Sequence, residues 1–287
     1  MSYPYSHLPI VSRPRLEFPG GARLAFYVGL NIEHFRPDLP IAPGGVVPDP
    51  LALGLRDYGN RVGIWRLIDL FDALGLRVSA IVNSDVCTHY PGIIQAGIER
   101  DWAWVAHGQT NSIMQTGMDE ATERAYLSEM LATLDAALPA RPTGWLGPGL
   151  TETPATPRLL AEAGIHYLLD WCCDDQPFPL TIPGMLSVPY SLDVNDNWIM
   201  LAHPGMVADY ERAVMDAFEQ LLEDSASTGR VMALPLHTFV MGQPGRARIL
   251  ARVLRTITST PEVWLCTSDD IARHYADTVG SGTEPTG

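Results

Sequence analysis

The chain has 287 residues, 46% hydrophobic and 18% charged, an ordinary composition for a folded globular protein. Its 33 acidic against 19 basic residues give a formal net charge of −14, which repels phosphate backbones and anionic bilayers and excludes nucleic acid and membrane surfaces as expected partners. Met1-Ser2-Tyr3-Pro4 opens no basic-then-apolar leader, no apolar run approaches the ~20 residues of a membrane span, and Cys87, Cys172, Cys173 and Cys266 form no C-x-x-C pair, so a cytoplasmic protein without a zinc ribbon or disulfide framework is expected.

Strand-like and helix-like patterns alternate along the chain. Residues 24–32 (LAFYVGLNI) read as a buried strand, followed by a Pro- and Gly-rich loop over 35–57 expected to cover the site. Residues 60–74 carry Ile64, Leu67, Ile68, Phe71 and Leu74 on one helical face. Strands at 78–82 and 103–106 flank a short helix at 91–100, and Asp119 opens a long helix that Pro139 stops. Short strands follow at 144–146, 165–169 and 185–188, with a helix start at Thr156-Pro157. A helix at 208–222, a strand at 231–236, a helix at 245–257, a strand at 263–266 and a helix at 269–275 complete the series. Repeated βα units imply a parallel sheet. With no composition shift to mark a boundary, the expectation is α/β: a single distorted (β/α) barrel of about seven parallel strands over 1–277, with a disordered Gly/Ser/Thr/Pro-rich tail at 278–287.

Three histidines each stand where an apolar run stops: His34, His107 and His237. In a parallel barrel the C-terminal strand ends converge on one mouth, where such folds keep their chemistry. Alternation along the first strand sends Asn31 and Glu33 to one side and Ile32 and His34 to the other, although the pattern frays at a strand end and leaves the direction of His34 open. A carboxylate beside an imidazole supplies a general base and a metal ligand together. Gly108 lets the backbone turn beneath whatever His107 touches. His237 is placed to protonate a leaving nitrogen. Asp174 and Asp175 follow the fifth strand, and Trp145 between Gly144 and Gly147 reads either as a pocket wall or as core. No Gly-x-Ser-x-Gly elbow and no phosphate loop occurs.

An ordered series of matches over about residues 18–276 resembles the polysaccharide deacetylase superfamily of NodB-homology type, and within it the branch of metal-independent allantoinase and cyclic imide hydrolases. The matching pieces include Pro19-Gly20-Gly21-Ala22-Arg23, Leu30-Asn31-Ile32-Glu33, Asp57-Tyr58-Gly59-Asn60-Arg61, Ala106-His107-Gly108, Pro189-Tyr190-Ser191-Leu192-Asp193-Val194-Asn195-Asp196 and Leu236-His237. The resemblance implies hydrolysis of a non-peptide C–N bond. Glu33 falls on the base position and His34 on a metal position; the second motif reads His107-x-x-x-Asn111, so one metal ligand has become an amide. The expected assignment is Glu33, His237 and Asp175 as catalytic residues, and Trp145, Asn111 and Asp174 as substrate-binding. Glu33, His34 and His107 would hold one divalent metal, zinc or manganese, if the protein is not metal-free. The leading expectation is ring opening of a small cyclic amide, imide or ureide by a homo-oligomer. The alternatives are a metal-dependent N-deacetylase of a small amide or sugar, and a barrel that binds a ligand without turning it over.

Overall fold

The computed structural model describes residues 3–41, 44–202 and 209–278. Residues 279–287 of the expected tail lie outside them, while Thr278 is the last residue of the final helix. The strands are β1 (Leu24–Ile32), β2 (Ser79–Val82), β3 (Ala103–Ala106), β4 (Gly144–Trp145), β5 (Tyr167–Leu168), β6 (Phe178–Pro179), β7 (Leu186–Ser187), β8 (Arg230–His237) and β9 (Val263–Leu265). They form one sheet in the order β6-β7-β5-β4-β3-β2-β1-β8, with β9 also paired to β1. Every pairing is parallel except the β6–β7 hairpin. The sheet is therefore a curled half-barrel with an open seam between the β6–β7 end and β8. The sequence pattern missed β6 because two residues, one of them proline, carry no periodicity.

Side-chain alternation sorts the strands into two cores. Leu24, Phe26, Val28, Leu30 and Ile32 of β1, with Trp104, Trp145, Leu168 and Leu236, belong to the large cluster shared with the helices. Ala25 and Tyr27, with Ile81, Val105, Leu146, Tyr167, Val231 and Ala233, fill the inside of the curl. Nearly every sheet position is apolar because both faces are covered, the pattern of a buried parallel sheet.

The outer layer holds α1 (Pro50–Tyr58), α2 (Ile64–Leu74), α3 (Ser84–His89), α4 (Pro91–Ile98), α5 (Glu120–Ala137), α6 (Thr156–Glu162), α7 (Tyr210–Asp224), α8 (Thr238–Met241), α9 (Pro244–Thr258) and α10 (Ser268–Thr278). Residue 208, the expected start of α7, lies outside the described residues. The expected structureless loop 35–57 instead carries α1, begun by Pro50 and capped by Asp49, whose side chain accepts from the Ala52 N–H at 2.9 Å. Between α1 and α2 the backbone widens into a π turn at Gly59–Gly63. Both glycines are forced by close approach to α8. A Cβ at Gly63 would stand 2.2 Å from the Thr238 carbonyl oxygen, and one at Gly59 2.5 Å from Thr238 Oγ1. The pattern of 60–74 alone gave α2 its face but could not reveal the π turn and the helix α1 that lead into it from Pro50. No described helix is long and apolar enough to cross a membrane.

Candidate active site

Glu33, His107 and His237 all fall on the inward parity of their strands, continuing Tyr27, Val105 and Ala233 respectively. All three are nearly sealed from solvent. One oxygen, Glu33 Oε1, lies 3.6 Å from His107 Nε2 and 3.6 Å from His237 Nε2. The same oxygen accepts a short hydrogen bond from the Asn111 side-chain N–H.

The far nitrogen of each imidazole is fixed. Nδ1 of His107 is 2.6 Å from the Leu146 carbonyl oxygen, so it carries a proton and donates. Nδ1 of His237 is 2.7 Å from Asp196 Oδ1, and the other oxygen of Asp196 accepts from the His237 backbone N–H at 2.8 Å. Asp196 is fully buried and thus holds both the tautomer and the ring plane of His237. This aspartate lies in the segment 189–196, which carried resemblance but no assigned role. Its signal was weak, because Asp193 stands three residues earlier in the same segment.

Two asparagines hold the backbone and side chains around the carboxylate; Asn60 fell within a resembling segment without a role, and Asn83 was not singled out in the sequence. Asn60, in the π turn, donates to the Glu33 carbonyl oxygen at 2.8 Å. Asn83, immediately after β2, accepts from the His34 N–H at 2.8 Å and donates to Asn111 Oδ1 at 3.0 Å and to the His107 carbonyl. Asn83 stands at a strand end, as the three histidines do, so the same positional signal reaches it.

Burial works to raise the Glu33 pKa. The neighbouring His237 and His107 and the charge of Arg56 outweigh it, and the value falls below the usual glutamate range. For His237 burial works downward, but Asp196 and Glu33 together raise the value above 6.5. The two groups therefore favour a carboxylate and an imidazolium facing each other near neutral pH.

The remaining sequence candidates go elsewhere. His34 has outward parity: its ring stacks on His89 with centroids 4.5 Å apart, and its Nδ1 lies 3.2 Å from Thr110 Oγ1 and 3.4 Å from Asp85 Oδ2. Among the described residues, the group that gathers three metal-type ligand atoms is His34, Asp85 and His89, not Glu33, His34 and His107. The anticipated metal set does not fit this site, because His34 faces away and the Asn111 N–H points at the carboxylate oxygen a cation would share. Trp145 is fully buried in the outer core and is not among the residues that line the seam cavity. Asp174 is taken up by a two-point pair with Arg13. The Asp175 carbonyl accepts from the Val231 N–H at the start of β8. His237 is six residues further on, so at ~3.3 Å per residue both aspartates sit about 20 Å from it. Neither can reach a ligand held by Glu33. A cavity of about 2040 Å³ lies along the open seam, lined by residues such as Asp174, Tyr190 and Ala233, but it includes none of Glu33, His107 and His237.

No protein-family model matches the chain. A relative from Schizosaccharomyces pombe named as a polysaccharide deacetylase is 25% identical over 279 residues, covering 90% of this chain and 87% of its own. PuuE allantoinase superposes with a TM-score of 0.85 at 28% identity, over 97% of this chain and 99% of the other. A probable polysaccharide deacetylase from Pseudomonas aeruginosa PAO1 gives 0.83 at 27%, over 93% and 95%. In sequence and in fold, the chain is similar to polysaccharide deacetylases and to the PuuE allantoinase.

Proposed function

We propose that the protein is a hydrolase of non-peptide C–N bonds that opens a small cyclic amide, imide or ureide. The observation that carries this reading is the single oxygen Glu33 Oε1 faced by two imidazole Nε2 atoms whose opposite nitrogens are fixed. The likeness to an allantoinase over almost the whole chain supports it.

Glu33 takes a proton from water as that water adds to the carbonyl carbon. His237, held as an imidazolium by Asp196, gives its proton to the departing nitrogen. The first step helps the second, because the Glu33 charge is one of the two that hold the proton on His237. Once Glu33 has taken the water proton that charge is gone, and the imidazolium becomes a stronger acid. His107 and Asn111 keep Oε1 in place. Cytoplasmic location and homo-oligomeric assembly belong to the same reading, and light scattering on the purified protein tests the assembly.

The test is turnover on a panel of allantoin, hydantoin, succinimide and an N-acetylglucosamine oligomer. Ring opening that Glu33→Gln abolishes is the expected result. Full turnover by that variant overturns the role of Glu33, and acetate release from the sugar alone overturns the ring-opening reading.

A further inference from the structure

Arg56 lies in the last turn of α1 beside the site and has no carboxylate partner among the described ion pairs. Its guanidinium lies over the Phe35 ring at 4.7 Å and over the Phe239 ring at 5.4 Å. Those rings follow Glu33 and His237 by two residues each, and Phe239 meets the His237 ring edge-on at 5.5 Å. The shelf that carries the cation is thus continuous with the base and the acid. Arg56 Nη1 donates to the Ala52 carbonyl at 3.2 Å, while Nε is buried and has no hydrogen-bond partner. A planar fork stacked on aromatic faces is the arrangement in which arginine receives oxygen atoms.

We infer that Arg56 binds the reacting carbonyl oxygen of the substrate and holds the negative charge that forms there, so that the ligands of this site are ring carbonyls before reaction and ureido or amido carboxylates after it. This rests on the ring-opening reading. In the first step Glu33 takes one water proton, the water oxygen bonds to carbon, and the carbonyl π pair moves onto oxygen. The negative charge passes from Glu33 to that oxygen while the guanidinium stays where it is. In the second step the C–N pair leaves with nitrogen, which takes the His237 proton. The new carboxyl group ionises, its proton restores His237, and Glu33 releases its own to solvent. The site then faces a carboxylate with Arg56 still charged. Positioned donors aimed at such an oxygen account for a large share of hydrolytic rate.

The experiment compares the wild type with Arg56→Ala and Arg56→Lys, in turnover of hydantoin and in calorimetric binding of N-carbamoylglycine, its ring-opened form. Arg56→Ala is expected to lose about 100-fold or more in kcat, to recover part of it in added guanidinium ion but not in urea, and to bind N-carbamoylglycine about 10-fold or more weaker. Unchanged kcat, or a loss without rescue and with unchanged carboxylate affinity, overturns the inference. If Arg56→Ala does not fold, Arg56→Lys decides: it keeps the charge and loses the fork, so wild-type kcat in it overturns the role. If the wild type opens no ring, the functional reading falls alone, and equal N-carbamoylglycine affinity in wild type and variant then overturns the assignment of Arg56 as well.

Discussion

Glu33 and His34 are neighbours in sequence and belong to two different sites. Glu33 enters the curl, where His107, His237 and Asn111 meet one oxygen and each imidazole is locked from behind. His34 leaves through the other face and joins Asp85 and His89, where Arg36 also reaches Asp85 at 3.3 Å and His89 is exposed. Both clusters hold two imidazoles and a carboxylate. They differ in whether the environment leaves the groups any choice of proton, partner and direction. A residue list read without strand parity merges them into one metal site; parity separates them.

Substitution of Glu33 against His34 gives the sharpest break. Glu33→Gln is expected to lower kcat by about 100-fold or more, and His34→Gln by no more than about fivefold; similar losses in steady-state kinetics would erase the distinction. Next in size is Asp196→Asn, which keeps the shape but loses the charge that orients His237. It is expected to cost about 100-fold in kcat and to move the alkaline limb of the pH profile downward.

That profile is itself a prediction for the wild type. Activity needs Glu33 ionised and His237 protonated, so kcat/KM should be bell-shaped, failing on the acid side below the usual glutamate range and on the alkaline side above 6.5. The sign for stability agrees. The raised His237 value contributes below 6.5 and its contribution is lost as pH rises through the folded pKa; the lowered Glu33 value contributes above 4.5 and is lost as pH falls through the folded pKa. The smallest catalytic effect is expected for Asp174→Ala. It should leave kcat within about twofold while costing about 1–3 kcal/mol in denaturant unfolding, because Asp174 ties Arg13 to the far end of the sheet.

The strand series and the parity of Glu33 were legible because a buried parallel strand is an unbroken apolar run and its polar terminus stands out. His107 and His237 carried the same mark. Asp174 and Asp175 misled because an acidic pair after a strand looks like a mouth, whereas the chain there has already turned toward the opposite end, to the start of β8. Asp196, Asn60 and Asn83 carry hydrogen bonds that only a folded chain can reveal, since their partners lie 41, 27 and 24 to 49 positions away. Trp145 was ambiguous in sequence, and alternation along two residues is too short to decide a face.

The pairing of Asn31 with His237 across β1 and β8 has a bearing on how the protein is made. The base is synthesised some 200 residues before its acid partner, so a nascent polypeptide carries Glu33 long before the imidazole that answers it. Closing that distance is slow relative to local helix formation, and N-terminal segments assemble first during translation. Catalytic competence should therefore appear only with the last docking step, making turnover a late reporter of complete folding. A protein cut within the loop before β8 should regain activity when its two pieces are mixed.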